Sequence, residues 1–209
     1  MKRPMISRRD IKRLFYHVVL VLIGAQLVLM VGSWLYSAAY PAVGVQSLLS
    51  GEGLRWLMGR YAQTMARPLL VWTVLLSMAW GVATESGLFC RNHTGYRARR
   101  ALWFSFFLGS LCVMVILLLS VVPHAVMRSV TGQLWPSPFS DSLVPMTAFI
   151  ITLSSSVYGL IAGRFESLID VLDSLVSGLR SGAPLLLLYV FFIQIYESLI
   201  YVLPINPNF

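Results

Sequence analysis

The sequence predicts an all-α fold, a polytopic transmembrane helix bundle of five spans with a cytoplasmic N-terminus and one amphipathic cytoplasmic helix. Three observations carry that expectation. The 209 residues are 57% hydrophobic and 11% charged, with a mean hydropathy of +0.76, whereas a soluble domain carries about a quarter charged residues. Apolar runs of about 20 residues, the length that crosses about 30 Å of hydrocarbon, recur along the chain. Basic residues then gather in alternate connections, the pattern left by the resistance of Lys and Arg to translocation.

The opening "MKRPMISRRDIKRLF" is basic, and the apolar run behind it, Tyr16–Ala38, is longer than a signal peptide's apolar core and has no small-x-small cleavage site. It reads as a retained signal anchor and the first span, with Trp34, Tyr36 and Tyr40 at headgroup depth on its outer end. In the outer segment that follows, Leu54, Trp56, Leu57 and Tyr61 suit an interface, while Gly51, Gly53 and Gly59 weaken any long helix. Pro68–Leu88 is the second span and carries the small pair Ser77 and Gly81, four residues apart. Segment 89–100 is a basic cytoplasmic loop holding Arg91, Arg97, Arg99 and Arg100. Ala101–Val122 is the third span, and the outer connection 123–144, with "WPSPFSD", is expected to be irregular. The fourth span, Pro145–Gly163, is short and rich in Ser and Thr but holds no charge, and Ser155, Gly159 and Gly163 repeat the four-residue spacing. Small residues at that period let helices approach closely, in a solvent where burial of apolar surface supplies no drive.

Residues 164–182 place Phe165, Leu168, Ile169, Leu172, Val176 and Leu179 at i, i+3, i+4, i+7 spacing, with Asp170 and Asp173 toward the other face. This predicts an amphipathic helix on the cytoplasmic membrane surface. Interfacial helices favour Lys and Arg on the polar face, so the aspartates point to a protein partner over lipid. Pro184–Leu203 is the last span and puts "PINPNF" outside.

With the N-terminus inside, twelve of the sixteen basic residues fall in the inner segments 1–15, 89–100 and 164–183. The net charge of +8 is therefore topological. Arg97, Arg99 and Arg100 also stand where anionic headgroups attract them, at about 1 kcal/mol each. No compact recognition fold surrounds them, so no specific nucleic acid is expected.

No catalytic, metal or cofactor constellation emerges. Cys90 and Cys112 form no framework, and His17, His93 and His124 belong to different depths or sides. The chain has no phosphate-binding loop and no dinucleotide turn. An enzyme is not expected. Polar groups inside a bilayer are functional candidates by default, which singles out Glu85 in the second span and Gln194 and Glu197, about one turn apart, in the last.

The run Glu85-Ser86-Gly87-Leu88-Phe89, followed by Arg91-Asn92-His93 and Arg97-Ala98-Arg99-Arg100, resembles a motif of about 20 residues in small membrane proteins of integrating conjugative elements and plasmids. The resemblance implies a multi-pass inner-membrane accessory encoded beside the coupling ATPase of a type IV secretion apparatus. Two readings follow. The first is a non-enzymatic scaffold subunit of a larger, conjugative complex, whose partners are lipids, other membrane subunits and that ATPase, with the chain itself able to oligomerise. The alternative is a small proton- or ion-coupled transporter or channel subunit that uses Glu197, Gln194 and Glu85.

Overall fold

The computed structural model describes residues 8–41, 44–89, 95–121 and 138–203. Within these residues the regular structure is helical: α1 Arg8–Ala39, α2 Gly51–Gly59, α3 Tyr61–Met65, α4 Pro68–Glu85, α5 Tyr96–Val121, α6 Pro138–Ala162 and α7 Leu168–Val202. Five of these, α1, α4, α5, α6 and α7, are long and apolar enough to cross a membrane. The molecule is thus a polytopic helix bundle. Their side chains are largely uncovered by protein, Leu20, Val28, Phe106 and Phe107 among them, as lipid-facing surface requires.

The chain divides into two compact units, residues 1–70 with 184–209, and residues 71–183. In the second unit α4 and the first half of α7 meet backbone to backbone. A Cβ built on Gly81 would stand 2.5 Å from the Gly178 nitrogen, and one on Gly178 would stand 2.8 Å from the Gly81 Cα. Ser77 faces Gly182 in the same seam, so the two helices run antiparallel. α5 and α6 are joined likewise: the Ser105 hydroxyl donates to the Ser154 carbonyl at 2.8 Å, and Gly109 leaves room for the Ser154 hydroxyl. Val82, Phe165 and Val171 form a small apolar core. The hydroxyls of Thr147, Thr152 and Ser156 donate to carbonyls of their own helix, α6, at 2.7–2.9 Å. That bonding is how a Ser- and Thr-rich span tolerates lipid.

Three expectations change here. The helix expected at 164–182 is not a separate surface element: α7 is one helix of 35 residues with Pro184 inside it. At 1.5 Å per residue it is roughly 52 Å long, well over the hydrocarbon thickness. A proline stops helices in water, but in a membrane a broken helix strands polar backbone in lipid, so the helix continues through it. The apolar stripe Leu168, Ile169, Leu172 and Val176 is exposed, while Val171, Ser174, Gly178 and Gly182 are the covered face. Pro145 likewise lies inside α6, which begins seven residues before it. Gly159 and Gly163, read as helix-contact residues, build a turn instead. Gly163 has φ +75°, a conformation that suits glycine, and the Gly159 carbonyl accepts from the Arg164 and Phe165 amides at 2.8 and 3.1 Å. The Phe165 ring fills the space beside Gly159.

In the first unit α2 is capped by the Ser50 hydroxyl, which accepts from the Gly53 amide at 3.0 Å. The Leu48 amide donates to Ser33 Oγ on α1 at 3.2 Å, and the Gln46 amide to the Val202 carbonyl at the end of α7 at 3.3 Å. The ends of α1 and α7 therefore lie at the same side.

Candidate functional site

The polar residues of the last span stand on one face of α7. Val190, Gln194, Glu197, Ser198 and Tyr201 follow the i, i+4, i+7 spacing of a single helical stripe. Tyr189, Tyr196, Glu197, Ser198 and Tyr201 each meet something from α1 or from residues 44–67. Glu197 is ion-paired with Arg67, and the Arg67 guanidinium also lies 5.7 Å from the Tyr196 ring centroid. The Ser198 hydroxyl is fully buried and accepts from Gln26 Nε2 of α1 at 3.0 Å. The Tyr189 hydroxyl donates to the Met65 carbonyl at 3.2 Å, and Tyr201 stacks on Trp56 at 4.4 Å between centroids.

Glu197 retains 17% of its side-chain exposure and Arg67 44%. An ionised carboxylate held in an apolar segment is costly unless a counter-charge stands beside it, and Arg67 supplies one from the last residue before α4. Gln194 lies one turn back from Glu197. It lines a cleft of about 220 Å³ together with Gln26, Ile23, Leu27, Tyr61, Val190 and Phe191. The carbonyl oxygens of both glutamines are buried and accept no hydrogen bond from the described residues.

The other predicted residues lie elsewhere. Glu85 is exposed at the end of α4 and belongs to the second unit. Arg97, Arg99 and Arg100 are exposed on the first turns of α5, with Arg100 5.6 Å from the Tyr96 ring; Arg91 is outside the described residues. Asp170 has a local role: its carboxylate accepts from the Glu166 and Ser167 amides at 2.6 and 3.0 Å, closing the first turn of α7 as a capping box does. Asp173 is exposed, and Ser155 is fully buried in α6. Ser77 and Gly81 sit in the α4–α7 seam.

Sequence reasoning missed Gln26, Ser198 and Arg67. Gln26 was legible, since it is the one polar side chain between Val18 and Val31. Arg67 reads as an ordinary loop charge until the fold brings it to Glu197. The stripe Ala101, Ser105 and Gly109 on α5 also repeats the four-residue spacing and was passed over.

A family model described as the AbgT putative transporter family matches residues 90–200, just over half of the chain. No curated protein and no solved structure matches it. The match overturns the resemblance to conjugative-element proteins and, with it, the scaffold role. That resemblance rested on about 20 residues, centred on arginines ahead of a span, which the positive-inside tendency places in unrelated membrane proteins. On a match from the basic loop to the last turns of α7, this chain belongs to the AbgT putative transporter family.

Proposed function

We propose that the chain is a non-enzymatic, proton- or ion-coupled transport protein of the cytoplasmic membrane, acting by itself or as a subunit of a larger transporter. The family match over residues 90–200 is the observation that carries this reading. The polar face of α7 supports it with chemistry. Glu197 is a carboxylate inside an apolar helix, neutralised by an arginine that is itself only half covered by protein. A proton or a cation arriving at Glu197 competes with Arg67 for the carboxylate. Arg67, half exposed, can follow its charge back to water, as long basic side chains do. Exchange of one neutralising partner for another is what coupling requires. Exposed Arg97, Arg99 and Arg100 meet anionic headgroups on the cytoplasmic side and hold the orientation.

The test is ion-gradient-driven flux into liposomes carrying the purified protein. Flux that is lost in Glu197→Gln supports the reading. Flux that persists undiminished in that variant removes Glu197 from the mechanism, and no flux under any imposed gradient removes the reading itself.

A further inference from the structure

We infer that residues 46–67 are a re-entrant segment, dipping into the membrane alongside α1 and α7 and latched at its deep end by the Arg67–Glu197 pair. The order of its contacts carries this. The Gln46 amide donates to the Val202 carbonyl and the Leu48 amide to Ser33 on α1, so the segment starts near where both helices end. Trp56 then stacks on Tyr201, Tyr61 lines the cleft with Ile23, Leu27, Val190 and Gln194, and the Met65 carbonyl accepts from the Tyr189 hydroxyl. Each step along the segment is thus a step back along α7, from Val202 to Tyr189, which is about 20 Å at 1.5 Å per residue. On α1 the contacts retreat in the same sense, from Ser33 to Leu27 and Ile23.

That stretch of α7 is the one hydrocarbon covers. Asp170, Asp173 and Arg180 all precede Pro184, and from Pro184 to Val202 Glu197 is the one charge. The segment suits the same solvent. Tyr61–Ala66 carry no charge, and Arg60 ahead of them is long enough to snorkel back. Non-helical backbone survives at membrane depth only where its polar groups are satisfied. At the breaks on either side of α3 the Arg60, Ala66 and Arg67 amides donate to the Trp56, Ala62 and Met65 carbonyls at 2.8–3.0 Å, and Pro68 has no N–H to strand. Arg67 turns back from this depth to Glu197, so the ion pair ties the deep end to α7, with the Tyr189–Met65 hydrogen bond beside it. Neutralising Glu197 leaves the neutral tie to hold that end. α3, flanked by non-helical Arg60 and Ala66, can then swing out of the cleft that Tyr61 lines. Opening the cleft in this way has its purpose in the transport reading; the depth of the segment does not depend on it.

Nitroxide labels on single cysteines test this, in a chain with Cys90 and Cys112 replaced by serine and reconstituted in phosphatidylcholine liposomes. The ratio of oxygen to nickel-chelate accessibility reads the depth of each label. Two exposed positions on α7 are the ruler: Leu203→Cys marks the end of the helix and Phe192→Cys the level of Tyr61. Labels at Arg55→Cys, Met58→Cys and Ala62→Cys, all exposed positions, should deepen in that order, with Ala62→Cys close to Phe192→Cys. An Ala62→Cys label that reads like Leu203→Cys would mean a loop on the membrane surface and would overturn the inference. Adding Glu197→Gln should raise nickel accessibility at Ala62→Cys about fivefold, the shift an equilibrium shows when one partly buried ion pair is lost. Glu197→Asp keeps the charge and should hold that label near its parent value. Unchanged Phe192→Cys and Leu203→Cys readings in the same variants check the fold. A reading at Ala62→Cys that ignores Glu197→Gln would overturn the latch. No flux is measured, so the two readings fail separately. A latched segment in a chain that moves no ion sinks the transport reading alone, and ion flux through a chain whose Ala62 lies at the surface sinks this one alone.

Discussion

Glu197 and Arg67 share one ion pair but not one environment, and the difference predicts an asymmetry. Removing Arg67 strands a carboxylate of which 17% is exposed, at a cost of about 3 kcal/mol. Removing the carboxylate in Glu197→Gln leaves a guanidinium 44% exposed, and the loss is about 1 kcal/mol. Thermal unfolding in detergent of Arg67→Gln and Glu197→Gln should therefore rank the arginine variant as the less stable, and equal losses would contradict the burial argument. Half of this site was legible in the sequence. Gln194 and Glu197 declare themselves as polar groups in an apolar run, and Gln26 does so by the same logic. Arg67 declares nothing, because 130 residues separate it from its partner and its own surroundings are those of an ordinary loop charge. Asp170 misleads for a related reason. Ser-x-x-Asp ahead of an apolar run is a helix-start signature, yet an acid on the polar face of an amphipathic pattern draws attention to partners instead.

Among the helices, glycine sorts into kinds that spacing alone does not separate. Gly178 is pressed against Gly81, so Gly178→Ala must force α4 and α7 apart and is expected to cost about 1–3 kcal/mol. Gly163 has open space but a left-handed backbone, and Gly163→Ala should cost about 1 kcal/mol through φ alone. Gly24 has neither constraint, and Gly24→Ala should fall within about 0.5 kcal/mol of the parent. Thermal midpoints of the three variants check that order, and a Gly24 variant as damaged as the Gly178 variant would refute it. The misread segment 164–182 has the same root. In water the apolar stripe of a helix is the buried one, but in lipid the apolar stripe faces outward and small or hydroxyl-bearing residues face the neighbour. Val176 and Leu172 thus look away from the protein while Ser174 and Gly178 are covered. The spans themselves were legible within a few residues, except where Pro145 and Pro184 suggested ends that a membrane helix runs through.

For the molecule as a whole, composition settles the class, and the arrangement of charge orders the crossings. Neither reaches function. Arginines ahead of a span serve topology in any membrane protein, which is why they pointed to the wrong family, and the match over 90–200 redirects the account toward transport. The central claim is that α7 ends on the side where α1 ends, since the Arg67–Glu197 pair depends on it, and the positive-inside tendency of Arg97, Arg99 and Arg100 predicts the other face for them. Two-sided labelling of single cysteines, in a background with Cys90 and Cys112 replaced by serine, tests it most directly. Arg55→Cys and Leu203→Cys should react with an impermeant reagent from one face of the membrane, and Arg99→Cys only from the other. Labelling of Leu203→Cys from the same face as Arg99→Cys would mean an even number of crossings and would contradict the account.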